Sequence, residues 1–189
     1  MSELWALGAV GALALAGASR GSRAWSLGMP GGRVLYRATS DGFSGTGSHW
    51  TPCQEDAEAY MLAGVGHGGD ALICAKPSSK DVVLRLSSTG DLADAILYAM
   101  TEEEATLSLS VHEDGLPQAL QGFYAFEVLE GEAAIGRQDP ILSRVPLLLS
   151  KIADWVVFSE PKIGEGSLIC ETWRRLDDRH PLEDLKLCS

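Results

Sequence analysis

Short apolar runs of strand length recur along this chain, and helical signals fall between only some of them. That irregular spacing restricts the fold more than any other feature. The runs are 33–38 (RVLYRA), 71–75 (ALICA), 82–86 (VVLRL), 123–129 (FYAFEVL), 155–159 (WVVFS) and 168–173 (LICETW). ALICA and VVLRL read as buried strands. WVVFS and LICETW flank EPKIGEGS at 160–167, a two-glycine turn, and predict a hairpin. Thr51 reads as an N-cap, with Pro52 at the first helical position and Gln54 closing a capping box. That helix runs through EDAEAYMLA and stops in the glycines between Gly64 and Gly69. A second helix is expected over 91–100 and a third over 101–112, where Thr101 and Glu104 form another capping box. Residues 140–151 read as helical in part, and the tail, with alternating charges and Leu, reads as a short surface helix. Strands and helices do not alternate as in a doubly wound fold. The expected class is α+β: a single domain with a mixed, mostly antiparallel sheet and flanking helices.

With 189 residues, 46% of them hydrophobic, one domain with a real core is expected over 28–189. The turn cluster GMPGG at 28–32 sets off an N-terminal apolar segment, 1–27. Within it, LWALGAVGALALAG at 4–17 is short for a membrane span. It resembles a signal-peptide core, but the residues before it carry Glu3 and no Lys or Arg, which argues against export. A buried helix, a signal or membrane anchor, and a partner-docking helix are the alternatives. The net charge of −11 repels nucleic-acid phosphates, so direct duplex binding is not expected, and a basic partner would be attracted. The four cysteines, Cys53, Cys74, Cys170 and Cys188, form no CxxC pair, so they read as reduced thiols and the compartment as cytoplasmic.

The chemistry-bearing residues concentrate between Tyr36 and Tyr60. Arg37, at the end of a strand and ahead of the glycine-rich loop TSDGFSGTGS, can grip a phosphate in a bidentate way. His49-Trp50-Thr51 follows, just before a helix, with two hydrogen-bonding side chains around a flat apolar one. Taken singly, the structural readings lead: Arg37 as a salt bridge and Trp50 as core. The order of YR on a strand, glycine loop, WT, a capped helix with A-x-A-Y, then a further strand resembles the first half of small ADP-ribosyltransferase domains and the related RES-type NAD-consuming toxins. The resemblance covers residues 33–76.

It implies an ADP-ribosyltransferase-like fold with NAD as substrate and no metal. Arg37 would hold phosphate or ribose, His49 and Thr51 would bond ribose or carboxamide, and Trp50 and Tyr60 would wall the nicotinamide, with Ala57 on the same helix. It also implies a late carboxylate that stabilises positive charge on the ribose as nicotinamide leaves. Glu160, at the end of WVVFS, is the first candidate, then Glu171 and Asp154; Glu130 and Glu132 have an E-x-E spacing but lie earlier. The acceptor would be a macromolecule, a protein by preference, or water. Two other readings stand beside this one. One is a non-enzymatic acidic module for a basic partner. The other is a thiol hydrolase built on Cys53 with His49 or His112, Cys53 lying where a helix dipole lowers a thiol pKa.

Overall fold

The computed structural model describes residues 25–40, 42–63, 69–111, 115–120, 144–159 and 170–188. Their elements run β1 (Ser26–Gly28), β2 (Leu35–Thr39), β3 (His49–Trp50), α1 (Gln54–Ala63), β4 (Ala71–Lys76), β5 (Val83–Leu86), α2 (Thr89–Ala99), α3 (Glu102–Val111), α4 (Leu116–Ala119), α5 (Val145–Leu149), β6 (Trp155–Phe158), β7 (Thr172–Arg175) and β8 (Glu183–Leu187). The class is α+β, but the strands divide into two sheets where one was expected. The larger has the order β1-β5-β6-β7-β3 and the smaller β2-β4-β8. All pairings are antiparallel except β5 with β6.

The larger sheet is covered on both faces, which explains why β5 and β6 read as unbroken apolar runs. Strand alternation sends Leu84, Leu86 and Val156 into a core with Leu92 and Ile96 of α2 and Leu148 and Leu149 of α5. Val83, Trp155, Val157 and Trp173 point the other way and pack against Leu35, Ile73 and Ala75 of the smaller sheet, together with Trp50. The three indoles of this second core all donate: Trp155 Nε1 to Asp81 Oδ2 at 2.8 Å, Trp50 Nε1 to Ser48 Oγ at 2.9 Å and Trp173 Nε1 to Glu171 Oε2 at 3.2 Å. Burying these rings therefore leaves no N–H unsatisfied.

The structure departs from expectation at several elements. Residues 25–28 join the body ahead of the glycine turn, with Trp25 in the helix-side core and β1 on the edge of β5. The tail is strand β8, not a helix. Its LEDLKL pattern is compatible with both periods; a helix this short is marginal by itself, whereas the extended segment pairs along the edge of β4. Lys76 Nζ to Asp184 Oδ2 at 2.7 Å and Ser79 N to Glu183 Oε1 at 3.0 Å add to that pairing. The expected Thr51–Gln54 capping box does not form. Thr51 Oγ1 accepts from Cys53 N at 3.2 Å, Gln54 Nε2 donates to Glu58 Oε1 at 2.7 Å, and α1 begins at Gln54. The Thr101–Glu104 box does form: Thr101 N donates to Glu104 Oε2 at 2.9 Å and Glu104 N to Thr101 Oγ1 at 3.3 Å.

The cysteines are not free thiols. Cys53 is bonded to Cys170 and Cys74 to Cys188, across Cα–Cα separations of 6.1 and 5.7 Å, within the span a disulfide bridges. No helix among the described residues is long and apolar enough to cross a membrane. The N-terminal run at 4–17 and the strand candidate at 123–129 lie outside the described residues.

Candidate functional site

Two strands from different sheets bring the sequence-predicted residues together. Tyr36 of β2 and Thr51, just beyond β3, exchange backbone hydrogen bonds, Tyr36 N to Thr51 O at 2.7 Å and Thr51 N to Tyr36 O at 3.0 Å. This bridge seats the H-W-T segment beside the YR strand, at the seam between the sheets. Alternation along β2 puts Arg37 on the same side as Leu35, toward the larger sheet. Arg37 Nη1 donates to the carbonyl of His49 at 3.0 Å, and its guanidinium lies 5.8 Å from the centroid of the Phe43 ring.

His49 stands directly opposite Arg174 in the β3–β7 pair, as Trp50 stands opposite Trp173. Burial, then the charge of Arg174, then that of Arg37 lower the His49 pKa from 6.5 to about 3. The imidazole is therefore neutral at physiological pH, with one ring nitrogen a donor and the other an acceptor. The loop leading into β3 is bound to the same strand: Gly47 N donates to Arg175 O at 2.7 Å and Arg175 N to Ser48 O at 3.0 Å. Gly47 has φ +82°, a conformation that favours glycine, and a side chain added there would meet Arg174 Nη2 at 3.8 Å.

The remaining predicted residues are placed differently from one another. Trp50 is 1% exposed and belongs to the core beneath the site. The Thr51 hydroxyl is held at the start of α1. Tyr60 lies on α1 and is 50% exposed, while Ala57 of that helix is buried.

Among the late carboxylates, Asp154 is a structural group. Its side chain is 4% exposed, accepts from Val82 N at 2.8 Å and pairs with Arg179 at 2.8 Å. Glu171 is 28% exposed, accepts from Arg33 at 2.8 Å and lies 3.8 Å from Arg85. Its bond from Trp173 Nε1 puts it on the face of the larger sheet that looks toward the smaller one. Glu160, Glu130, Glu132 and His112 lie outside the described residues. Cys53 is closed in its disulfide, so the thiol-hydrolase constellation lacks its thiolate in this form.

Arg174 was not singled out from sequence. The Arg174-Arg175 doublet after LICETW carried the signal, because alternation sends successive arginines to opposite faces. Arg175 turns inward, 5.9 Å from the Trp155 ring, and donates to the carbonyls of Ser44, Asp177 and His180.

Asp81, Asp154 and His180 bring donor atoms within 4.8 Å of one another. Their geometry is explained without an ion: His180 Nδ1 donates to Asp81 Oδ1 at 2.9 Å, and Arg179 supplies positive charge to Asp154. A second such group, Cys53, Asp56 and Cys170, has its two sulfurs bonded to each other. The chain matches no protein-family model, no curated protein and no solved structure.

Proposed function

We propose that this chain is an NAD-consuming enzyme of the ADP-ribosyltransferase type, which breaks the bond between nicotinamide and ribose. The observation that carries the reading is the contact of Arg37 with His49. Residues twelve apart in sequence, predicted to share a nicotinamide-nucleotide site, meet at the seam of two sheets. Arg37 holds phosphate or ribose, and neutral His49 can donate to an oxygen without adding a third positive charge. Thr51 anchors the turn into α1, and Tyr60 offers an exposed ring on that helix. A carboxylate accepts from a ribose hydroxyl and stabilises the developing oxocarbenium. Nicotinamide leaves with the bonding pair, and the acceptor, a protein group or water, forms the new bond to the ribose carbon and gives up a proton. Glu160, two residues beyond the end of β6, is the proposed acid, and Glu171 is the alternative.

The test is nicotinamide release from NAD by the purified chain, with and without candidate protein acceptors, beside Arg37→Ala, Glu160→Ala and Glu171→Gln. Loss of about a hundredfold or more in rate is expected for Arg37→Ala and Glu160→Ala with unfolding midpoints unchanged. Release that survives Glu160→Ala and falls with Glu171→Gln moves the acid. No release and no NAD binding under any condition defeats the reading. A non-catalytic acidic module for a basic partner would then lead. It is favoured by the net charge of −11 and by the ion pairs that already hold Glu171 and Asp154. The two disulfides favour an oxidising compartment over the cytoplasm expected from the cysteine spacing.

A further inference from the structure

We propose that Cys53, Cys170 and Asp56 form a Zn2+ site in the reduced protein, so that the Cys53–Cys170 disulfide and a bound ion are alternative states of the same two sulfurs. The inference stands apart from the NAD reading, since it concerns the start of α1 and not the Arg37–His49 contact.

The donors come from beside the short β3–β7 ladder and from the first turn of a helix. Cys53 and Cys170 each lie three residues from the cross-strand pair Trp50–Trp173, one beyond β3 and one ahead of β7. The Cys53 carbonyl accepts from Ala57 N, which makes Cys53 the N-cap of α1 and Asp56 the third residue of that helix. Side chains at these two positions face each other, as they do in a capping box, so the sulfur and the carboxylate converge by local geometry. Asp56 is 8% exposed, a depth that a carboxylate tolerates only with a partner or a cation beside it. One donor atom from each of the three residues lies within 4.8 Å of the others. The other disulfide is built differently. Cys74 lies on β4 and Cys188 just beyond β8, and among the described residues no His, Asp or Glu completes a group with them.

Reduction by a dithiol passes two electrons and two protons to the sulfurs, and the dithiol leaves as its own disulfide. Zn2+ then takes both thiolates and the carboxylate, and the two thiol protons go to solvent. Two Zn–S bonds of about 2.3 Å at the tetrahedral angle hold the sulfurs about 3.8 Å apart. Cα atoms 6.1 Å apart allow that spread by side-chain rotation alone. Two thiolates with one carboxylate suit Zn2+ better than Cu+, which prefers sulfur, or Mg2+ and Ca2+, which take oxygen. The set leaves a fourth position for water. Three anionic ligands around a dication keep a net negative charge, which the positive end of the α1 dipole stabilises. Both cysteines are half-buried, so ion and reductant reach them.

The experiment uses the full chain, reduced with dithiothreitol and freed of it by gel filtration without oxygen. It is titrated with Co2+, whose thiolate charge-transfer absorption reports sulfur ligation, and then with Zn2+. The reduced parent is expected to take up a single Co2+ with that absorption and to yield it to Zn2+, while the oxidised parent takes up none. Cys53→Ser with Cys170→Ser should abolish the absorption. Cys74→Ser with Cys188→Ser, reduced in the same way and lacking no bond that the reduced parent has, should keep it. Asp56→Asn should weaken Zn2+ binding about tenfold or more, at least the cost of losing an outer partner of a metal ligand. Unfolded thiols also bind metal, so stability is measured beside affinity. Zn2+ should raise the urea midpoint of the reduced parent and leave that of the Cys53→Ser, Cys170→Ser variant unchanged. If the reduced chain is unfolded without metal, Zn2+ must restore its native circular dichroism. Four results overturn the site: no thiolate absorption in the reduced parent, absorption that survives loss of Cys53 and Cys170, equal Zn2+ affinity in Asp56→Asn, or no gain in stability or structure with Zn2+.

Discussion

His49 holds a neutral imidazole beside two guanidinium groups, and this has a measurable consequence in acid. In the unfolded chain the ring takes a proton as pH falls through about 6.5, whereas in the fold it does so only near pH 3. Between those values the unfolded state binds the extra proton. The stability that His49 permits is therefore complete above pH 6.5 and is lost as the pH falls toward 3. His49→Gln, which cannot titrate, should lose less stability than the parent between pH 7 and pH 4.5, by about 2 kcal/mol. Urea midpoints of the two proteins at both pH values check this, and parallel curves would mean that the ring protonates freely in the folded protein. Gly69 illustrates a different residue-scale constraint. A side chain there would overlap the backbone of Thr39 and Ser40, so the position admits only glycine for steric reasons. Sequence reading took it as a helix stop.

At the scale of elements, local signals succeeded where the deciding contacts were local. The Thr101–Glu104 box that starts α3 was legible because all its partners lie within four residues. That helix buries little besides Ser108, so its cap carries a large share of its stability. Thr101→Ala should cost about 1 kcal/mol. It should also speed amide exchange in 102–105 while leaving exchange in β5 and β6 unchanged, as read by hydrogen–deuterium exchange. Equal exchange in 102–105 would show that packing, with the Lys151–Glu104 pair, holds the helix without its cap. The Thr51–Gln54 box failed despite the same residue spacing. Thr51 is committed by both backbone groups to Tyr36 of β2, a partner fifteen residues away. The tail failed as a helix for a related reason, since the edge of β4 was not visible in a six-residue pattern.

For the whole molecule, the two disulfides tie the C-terminal part of the chain to its first half. Cys53–Cys170 backs a β3–β7 ladder that is only two residues long and carries His49 and Arg174. Cys74–Cys188 secures β8, whose residues are all exposed, to β4. Loops of 117 and 114 residues are long enough for each bond to remove much of the unfolded chain's entropy. Cys74→Ser with Cys188→Ser should cost about 2–5 kcal/mol, read as a lower urea midpoint. Dithiothreitol should lower the midpoint of the parent further than that of the double variant. A midpoint in the parent insensitive to dithiothreitol, with four thiols titratable under denaturing conditions, would show that the bonds are not made.

The sequence by itself determined the α+β class, the strand runs of β2, β4, β5 and β6, and the α2 and α3 helices. Each depends on periodicity, capping or turn chemistry within about a dozen residues, where chain geometry limits the alternatives. Only the tertiary structure decided the division into two sheets, the opposition of Arg174 to His49, the burial of Trp50 and the cysteine partners. It also decided that Asp154 is a structural carboxylate. These depend on partners from about 25 to 125 residues away in the chain, or on which face of a strand a second sheet covers. Residue spacing carries no information about either, because the free energy that selects them comes from burying side chains distant in sequence against one another.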